Sequence, residues 1–407
     1  MRIALLNAQG GCVGGLEIHL ARLLPALQAA QHEVRLFHEW PPPPSRAPIA
    51  PDHGQSLAGR DDREALECLA SWRPDVLYVH SPMRPSLAME AVRRWPAAAF
   101  QHGYFGTCAT GWKRIHTPRA QPCSRTFGWS CLACHYPLRC GGWNPFALWR
   151  GFVAQRGWQR VMRRFDLIAC HSDAMARELH RHGFPPGQVR TLPFLVPPPK
   201  TGGSASQPRS LPPDGPVRLV FLGRLEPVKG ALLLLDSLPI VRRALGRPLV
   251  LHLAGEGPHR PALEARARAI VATDDIEVRF TGWIGEDARH RLFQSSDLIA
   301  VPSVWPEPFG QVGVEAGHWG IPAASFDVGG VRSWLHPGIN GHLAPGDPPT
   351  IAGLAHAIVA CLSDPGHYRH LSRGALDATQ AFLEEPHLRA VEQLLTDAIR
   401  HRSRSGP

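Results

Sequence analysis

Lysine is nearly absent from this chain of 407 residues: it occurs only at positions 113, 200 and 229, although Lys and Arg together number 44 against 34 Asp and Glu. The formal charge of +10 is therefore carried by arginine, a bias that a GC-rich coding sequence produces without any functional demand. The arginines are spread along the chain, with one denser helix-like run at Arg156, Arg160, Arg163 and Arg164. That dispersal argues against a nucleic-acid groove. It leaves a solvated face, or a face that meets an anionic membrane or an anionic substrate. Also missing is any apolar run near the ~18 residues that a transmembrane helix needs. The N-terminal MRIALLNAQGG is too short in its apolar part for a secretory signal and runs into glycine, not a cleavage site. It reads as a buried first strand. Without an export signal a reducing compartment is expected, where the nine Cys serve as thiols or metal ligands and not as a disulfide framework.

What is present is enough apolar material, 44% of residues, for two domains or more at this length. In the first half, strand patterns at 2–6, 34–37, 76–80, 98–101 and 167–170 alternate with helical patterns such as 16–29. Alternation of this kind predicts a parallel sheet with helices on both faces. A first domain over 1–196 ends in a Pro-, Gly- and Ser-rich stretch, 197–216, that reads as a linker. The pattern then restarts with VRLVFLG, LVLHLAG, IEVRF, DLIAVP and AASFD, each followed by a helix or a loop, giving a second doubly wound domain over 217–365. The remainder, 366–407, reads as a helical tail that crosses back to the first domain. Two such domains place a cleft outside the carboxyl ends of their strands, where open α/β sheets bind ligands. One segment, 108–149, is rich in Cys, Trp, Pro and Gly, fits neither period, and reads as an insertion.

Four constellations carry chemistry. NAQGGCVGGLEIHL joins the first strand to a helix through Gly10, Gly11, Gly14 and Gly15. It lets backbone approach an anion at a helix start, although Cys12 breaks the dinucleotide fingerprint; the alternative is a plain strand–helix turn. FLGRLEPVKG places Arg224 and Lys229 on the loop above the second sheet, where a guanidinium and an ammonium suit a diphosphate or, alone, a surface ion-pair set. LHLAGEGP, with Gly255 and Glu256, is another strand, glycine loop and helix start. Finally, PSVWPEPFGQVGVEAGHWGIP puts Glu307 at a loop tip and the N–H groups of Phe309, Gly310 and Gln311 at a helix start, with Glu315 further along that helix. Carboxylates accept from vicinal hydroxyls and exposed amides favour a diphosphate; the bland reading is two solvated acids at a helix start.

Taken together, GGLE, GRLEPVKG, GEGP, PEPFG…VEA with Glu307 and Glu315, FDVGG and GINGHLAPGD resemble the retaining GT-B glycosyltransferases of family 4 (group 1) over most of the chain. The resemblance implies two Rossmann-like domains facing a central cleft. It also implies transfer of a hexosyl-type sugar from a nucleoside-diphosphate sugar with retention of configuration and no metal in catalysis. It assigns Arg224 and Lys229 to the diphosphate, Glu315 to the ribose, Glu307 with Phe309 and Gly310 to the donor sugar, and Gly15 to close approach of the first-domain loop. His102, in FQHGYFG, matches the family's first-domain histidine beside the reacting sugar; alone it would read as a structural histidine. The Asp-x-Asp pair typical of metal-dependent transferases does not occur, and no carboxylate stands out as a covalent nucleophile, so the acceptor is expected to attack from the face the diphosphate leaves. The expected donor is a UDP- or GDP-sugar. The expected acceptor is a lipid-linked glycan, a polysaccharide or a small molecule, handled in the cytoplasm or at the inner face of the membrane.

Two features depart from the family pattern. Cys123, Cys131, Cys134 and Cys140, with Cys108, His116 and His135 nearby, have spacing that can hold a structural zinc ion, against reduced free thiols or redox use. LPFLVPPP stands where an Asn-Gly turn commonly closes the first domain. Two other readings of the whole remain: a sugar-nucleotide epimerase of the same architecture, and a zinc-stabilised nucleic-acid-binding protein.

Overall fold

The structure, a computed structural model, describes residues 1–118, 121–196, 198, 207–271 and 275–405. The chain divides into two compact units. The first comprises Met1–Lys113, Ser124–Leu195 and Glu384–Pro407, the second Arg114–Cys123 and Val196–Leu383.

The first unit is built on strands β1 (Arg2–Gln9), β2 (Glu33–Trp40), β3 (Gly54–Ser56), β4 (Val76–Val79) and β5 (Ala97–Gln101). After the short antiparallel pair β6 (Arg114–Ile115) and β7 (Gln121–Pro122), which falls in the second unit, it continues with β8 (Leu167–Cys170) and β9 (Val189–Thr191). The seven strands are parallel in the order β3-β2-β1-β4-β5-β8-β9. Strands covered on both faces should be apolar along their whole length, and β4 (VLYV) and β8 (LIAC) are buried throughout. Helices α1 (Gly15–Ala29), α2 (Asp62–Trp72), α3 (Pro85–Arg94), α4 (Ser130–Cys134), α5 (Pro145–Met162) and α6 (Asp173–Arg181) lie between them. Local chemistry sets their starts. Asp61 and Glu64 form a reciprocal capping box on α2, and Ser172 accepts from Met175 N on α6.

In the second unit β10 (Val217–Leu222), β11 (Leu249–Ala254), β12 (Ile276–Gly282), β13 (Leu298–Val301), β14 (Ala323–Phe326) and β15 (Gly341–Ala344) form a parallel sheet ordered β12-β11-β10-β13-β14-β15. Its helices are α7 (Ala231–Leu245), α8 (Arg260–Val271), α9 (Glu286–Gln294), α10 (Gln311–Gly317), α11 (Ile351–Leu362) and α12 (Pro365–Ala378). Both sheets have the doubly wound order in which direction reverses between the first and fourth strands, and loops flanking that reversal form the binding crevice of such folds. The reversals here lie at β1/β4 and β10/β13.

Three boundaries differ from the sequence reading. The last helix, α13 (Glu384–Ser405), supplies Val391, Leu394, Leu395 and Ala398 to the core that Ile3, Leu5, Tyr78 and Phe100 build in the first unit, whereas α12 groups with the second. Much of the expected linker lies outside the described residues. Its remainder, 207–216, is not free: Arg209 N donates to Ser372 Oγ at 2.7 Å and its guanidinium to the carbonyls of Phe293 and Gln294 at 3.1 and 2.7 Å. Lastly, the aperiodic 108–149 segment yields to helix earlier than expected. Asn144 Oδ1 accepts from Phe146 N and Ala147 N with Pro145 in the first position, so α5 begins inside it.

Candidate functional site

In the second unit the loops after β10 and β13, which flank the strand-order reversal, are pressed together. The β10 loop ends in a short 3-10 turn (Pro227–Lys229) and Gly230 at φ 72°. A Cβ on Gly230 would overlap the Pro302 carbonyl, and Val304 N donates to Val228 O at 2.9 Å. Only glycine permits both that backbone angle and that approach. The result places Lys229 Nζ 2.7 Å from Glu307 Oε2, with its ammonium 5.3 Å from the centre of the Trp305 ring.

Glu307 Oε2 also accepts from Ser303 Oγ at 2.8 Å and Trp305 Nε1 at 2.9 Å. Burial alone would push its carboxyl up. The Lys229 charge and the hydrogen bonds from Lys229, Ser303 and Trp305 together outweigh burial and hold it below the usual carboxylate range. Its backbone is held by FDVGG: Gly330 N donates to Glu307 O at 2.6 Å, and Gly329, at φ 54°, sits where a Cβ would meet the Glu307 backbone. The following Phe309–Gly310 turn, with Gly310 at φ 87°, is fastened by Trp334 Nε1, which donates to Phe309 O at 2.6 Å while its ring fills the space left by Gly313.

Glu315 lies on α10, one turn beyond Gln311, whose Nε2 donates to Oε1 at 2.8 Å. Its Oε2 is buried and has no hydrogen-bond donor among the described residues, though Arg289 Nη1 faces it at 3.4 Å. A buried carboxylate oxygen with spare capacity is a receptor for a hydroxyl. Arg224, 62% exposed, extends from the β10 loop and donates to Glu226 Oε1 at 2.8 Å. Gly255 and Glu256 lie where the loop after β11 meets the loop after β10. A Cβ on Gly255 would overlap the Gly223 carbonyl, and Leu225 N donates to Glu256 O at 2.9 Å, so the glycine allows two loops to pack together. The Glu256 side chain pairs with Arg260.

In the first unit, Gly14 caps α1 in an extended conformation and Gly15 begins the helix. His102 is the centre of a chain of imidazoles. Its Nε2 lies 3.0 Å from His80 Nδ1 and its Nδ1 3.0 Å from His171 Nε2. His19 and His387 pack around them, the His19 ring stacking on Phe194 at 4.8 Å. Burial, reinforced by the neighbouring histidines, keeps these rings neutral, with His102 pushed down to about 3 and His387, by burial, to about 4. His80 Nε2 is buried without a partner among the described residues. Whichever way the protons run, each His102 nitrogen is engaged by a neighbouring imidazole, so His102 has no free ring nitrogen.

The expected zinc ligands do not assemble: among the described residues no group of three or more His, Cys, Asp or Glu side chains could hold a metal ion. Cys134 Sγ instead accepts from Arg125 Nη1 at 3.3 Å, and His135 Nε2 lies 2.8 Å from Gly142 O. Order in this segment comes from Lys113, buried on Glu178 Oε1 at 2.6 Å and bonded to the carbonyls of Thr107 and Arg125.

Sequence reading missed Ser303, Trp305, Arg289 and Trp334 around the two glutamates. It also missed His80 and His171, although LYVH, AFQH and IACH show the signal, a histidine at the carboxyl end of three neighbouring strands.

Comparison with known proteins agrees with this arrangement. Residues 13–198 match the model of Glycosyltransferase Family 4 and residues 216–364 that of Glycosyl transferases group 1. The chain is 26% identical to a glycogen synthase of Mycobacterium tuberculosis (strain CDC 1551 / Oshkosh) over 89% of this chain and 86% of that protein. It is 27% identical to a phosphatidyl-myo-inositol mannosyltransferase of Mycobacterium leprae (strain TN), over 89% and 87% of the respective chains. Its fold is that of the sucrose-phosphate synthase of Thermosynechococcus elongatus (TM-score 0.70, 20% identity, 99% and 100% coverage) and of Anabaena Alr3699/HepE solved with UDP and glucose (TM-score 0.67, 18% identity, 97% and 100% coverage). With both of its domains matched, this chain belongs to the GT-B glycosyltransferases of family 4 (group 1).

Proposed function

We propose that the protein transfers a hexosyl-type sugar from a nucleoside-diphosphate sugar to a hydroxyl acceptor, with retention of configuration and without a metal in catalysis. The observation that carries this reading is the Lys229–Glu307 pair at the strand-order reversal of the second unit. The step creates charge on departing phosphate oxygens, which requires fixed positive groups more than a strong base. Lys229 and Arg224 provide them, Arg224 from an exposed position on the same loop, where its guanidinium suits a phosphate. Glu307 holds hydroxyls of the donor sugar, and the buried Oε2 of Glu315, which faces Arg289, accepts from the ribose. The amides of Phe309, Gly310 and Gln311 add donors beside them. The acceptor hydroxyl attacks the anomeric carbon from the face the diphosphate leaves, and its proton passes to a leaving phosphate oxygen.

In the first unit Gly14 and Gly15 let their loop approach phosphate, and His102 serves the reacting sugar as a neutral, fixed ring, not as a proton carrier. The donor is a UDP- or GDP-sugar; UDP is favoured by the Anabaena protein, which was solved with that nucleotide. Relatives named for glycogen and for phosphatidyl-myo-inositol support a polysaccharide or lipid-linked acceptor, with the protein working in the cytoplasm at the inner membrane face. No helix among the described residues is long and apolar enough to cross a membrane. The zinc-dependent nucleic-acid reading loses its basis because its cysteine cluster does not form.

Thermal unfolding with UDP, GDP and ADP tests the donor side. One nucleoside diphosphate raises the midpoint, and Glu315→Gln weakens its binding by ~10-fold or more, the value of a hydrogen bond to a charged group. No stabilisation by any of the three, or an unaltered Glu315→Gln, removes the reading.

A further inference from the structure

The segment that follows β5 exposes large apolar side chains that the core does not use. Trp129, Trp143, Phe146, Trp149 and Val153 are 63%, 69%, 80%, 51% and 50% exposed. Phe146, Trp149 and Val153 fall at i, i+3 and i+7 of α5, on one stripe of the helix. The opposite stripe is spent inside the unit, with Phe152, Trp158, Val161 and Met162 all buried. The outer side chains form a platform: the Trp129 ring lies 6.5 Å from Trp149 and 5.1 Å from Phe152, and Tyr136 stacks on Trp143 at 5.6 Å. It is rooted, because Phe152 is part of the core and the Asn144 cap fixes the helix start. Soluble surfaces seldom carry so many large apolar groups together without a partner.

Charge identifies the partner. No Asp or Glu occurs between Glu90 and Asp166, whereas Lys and Arg occur twelve times in that interval. Arg125 and Arg139 in the segment before α5, and Arg150 and Arg160 on it, are exposed. A protein surface would be met with charges of both signs. A segment that carries arginines and exposed tryptophans but no acid of its own instead matches a lipid interface, with indoles at headgroup depth, apolar tips among the upper acyl carbons and guanidinium groups on phosphates.

We propose that α4, α5 and the turn joining them dock this protein on an anionic bilayer surface. The proposal deepens the membrane clause of the reading above and rests on that clause alone. The test is sedimentation of the full chain with vesicles of phosphatidylcholine alone and of phosphatidylcholine mixed with phosphatidylglycerol. Binding to the anionic vesicles is expected, weakened by salt, with little binding to the neutral ones. F146S/W149S should lower the partition coefficient by about tenfold or more. R125Q/R139Q/R150Q should lower binding to anionic vesicles by about a hundredfold. Both variants alter exposed side chains, and an unchanged thermal midpoint certifies their fold.

Absent binding overturns the proposal, as does equal binding to neutral and anionic vesicles. Loss of self-association in F146S/W149S would assign the platform to a second copy of the chain instead, and retention of the platform by a soluble neutral glucan would assign it to carbohydrate. The nucleoside-diphosphate shift, measured on the same sample, separates the two failures. If that shift persists without vesicle binding, only the docking surface falls; if vesicles bind without that shift, the donor reading falls.

Discussion

Replacing Lys229 with Met removes the charge that lies over the Trp305 ring while keeping an unbranched side chain of similar length. Glu307 then retains its bonds from Ser303 and Trp305 but has lost its counter-ion. Burial, the strongest influence on its carboxyl, is no longer opposed by a cation, and the group moves from below the ordinary carboxylate range to above it. Removing one partner of a buried pair costs ~3–5 kcal/mol. Since the Lys229 side chain is 20% exposed and that of Glu307 9%, the lower end applies, about 3 kcal/mol. In the parent, a depressed carboxyl contributes stability above its unfolded-state pKa and loses it as pH falls through the folded value. In Lys229→Met a raised carboxyl destabilises at neutral pH and is relieved as acid protonates it. The gap between the two proteins is therefore widest near neutrality and closes on acidification through the carboxylate range.

Calorimetry reads this directly. For a unit of this size ~1 kcal/mol is worth about 2–4 °C, so the second unit's transition should fall by ~6–12 °C at neutral pH. Lys229→Met/Glu307→Gln should recover most of that loss, because a neutral amide oxygen still accepts from Ser303 and Trp305, although neither variant should transfer sugar. A neutral-pH deficit below ~1 kcal/mol, the ordinary value of an exposed pair, or a deficit indifferent to pH, would refute the reasoning.

Gly329→Ala brings a methyl group against the Glu307 backbone at a φ of 54°, which should cost ~1–3 kcal/mol. Sugar transfer should fall at least tenfold while vesicle binding is unchanged; parent-like turnover would show that FDVGG does not position Glu307. The first unit should lose stability on acidification, because His102 and His387 have folded values of about 3 and about 4 against the ordinary 6.5 and their protons are taken up by the unfolded chain first. Below that ordinary value each such histidine contributes a slope of about 1.4 kcal/mol per pH unit. His387→Gln, which can still donate to Pro193 O, should remove one histidine's share of it, and an unaltered pH dependence of the unfolding free energy measured with urea would contradict the neutral assignment.

The alternation of apolar runs with amphipathic segments was enough to read two doubly wound domains, because a strand buried on both faces shows its burial in composition. Glu307, Lys229 and Glu315 stood out in the sequence as charged groups beside strand ends, and the structure brings Lys229 and Glu307 together there. What escaped was long-range. Nothing local announces that Trp334 will fill the space left by Gly313, or that strands β4, β5 and β8 will align His80, His102 and His171 in one row. Cysteine spacing misled for the same reason: it records proximity along the chain, whereas a metal requires convergence in space, and a buried Lys113 does the ordering instead. The start of α5 was hidden by an aromatic-rich sequence whose outward face imitates a core.

Because α13 completes the first unit's core, the unit that begins the chain is finished by its last described helix. Between the emergence of residue 195 and that of residue 384, translation at ~5–20 residues per second takes about 10–40 s. During that interval Ile3, Leu5, Tyr78 and Phe100 have no α13 to cover them on the ribosome. A nascent chain of this protein thus carries an open apolar sheet face through half of its own synthesis, and a premature stop before residue 384 leaves that face bare for good.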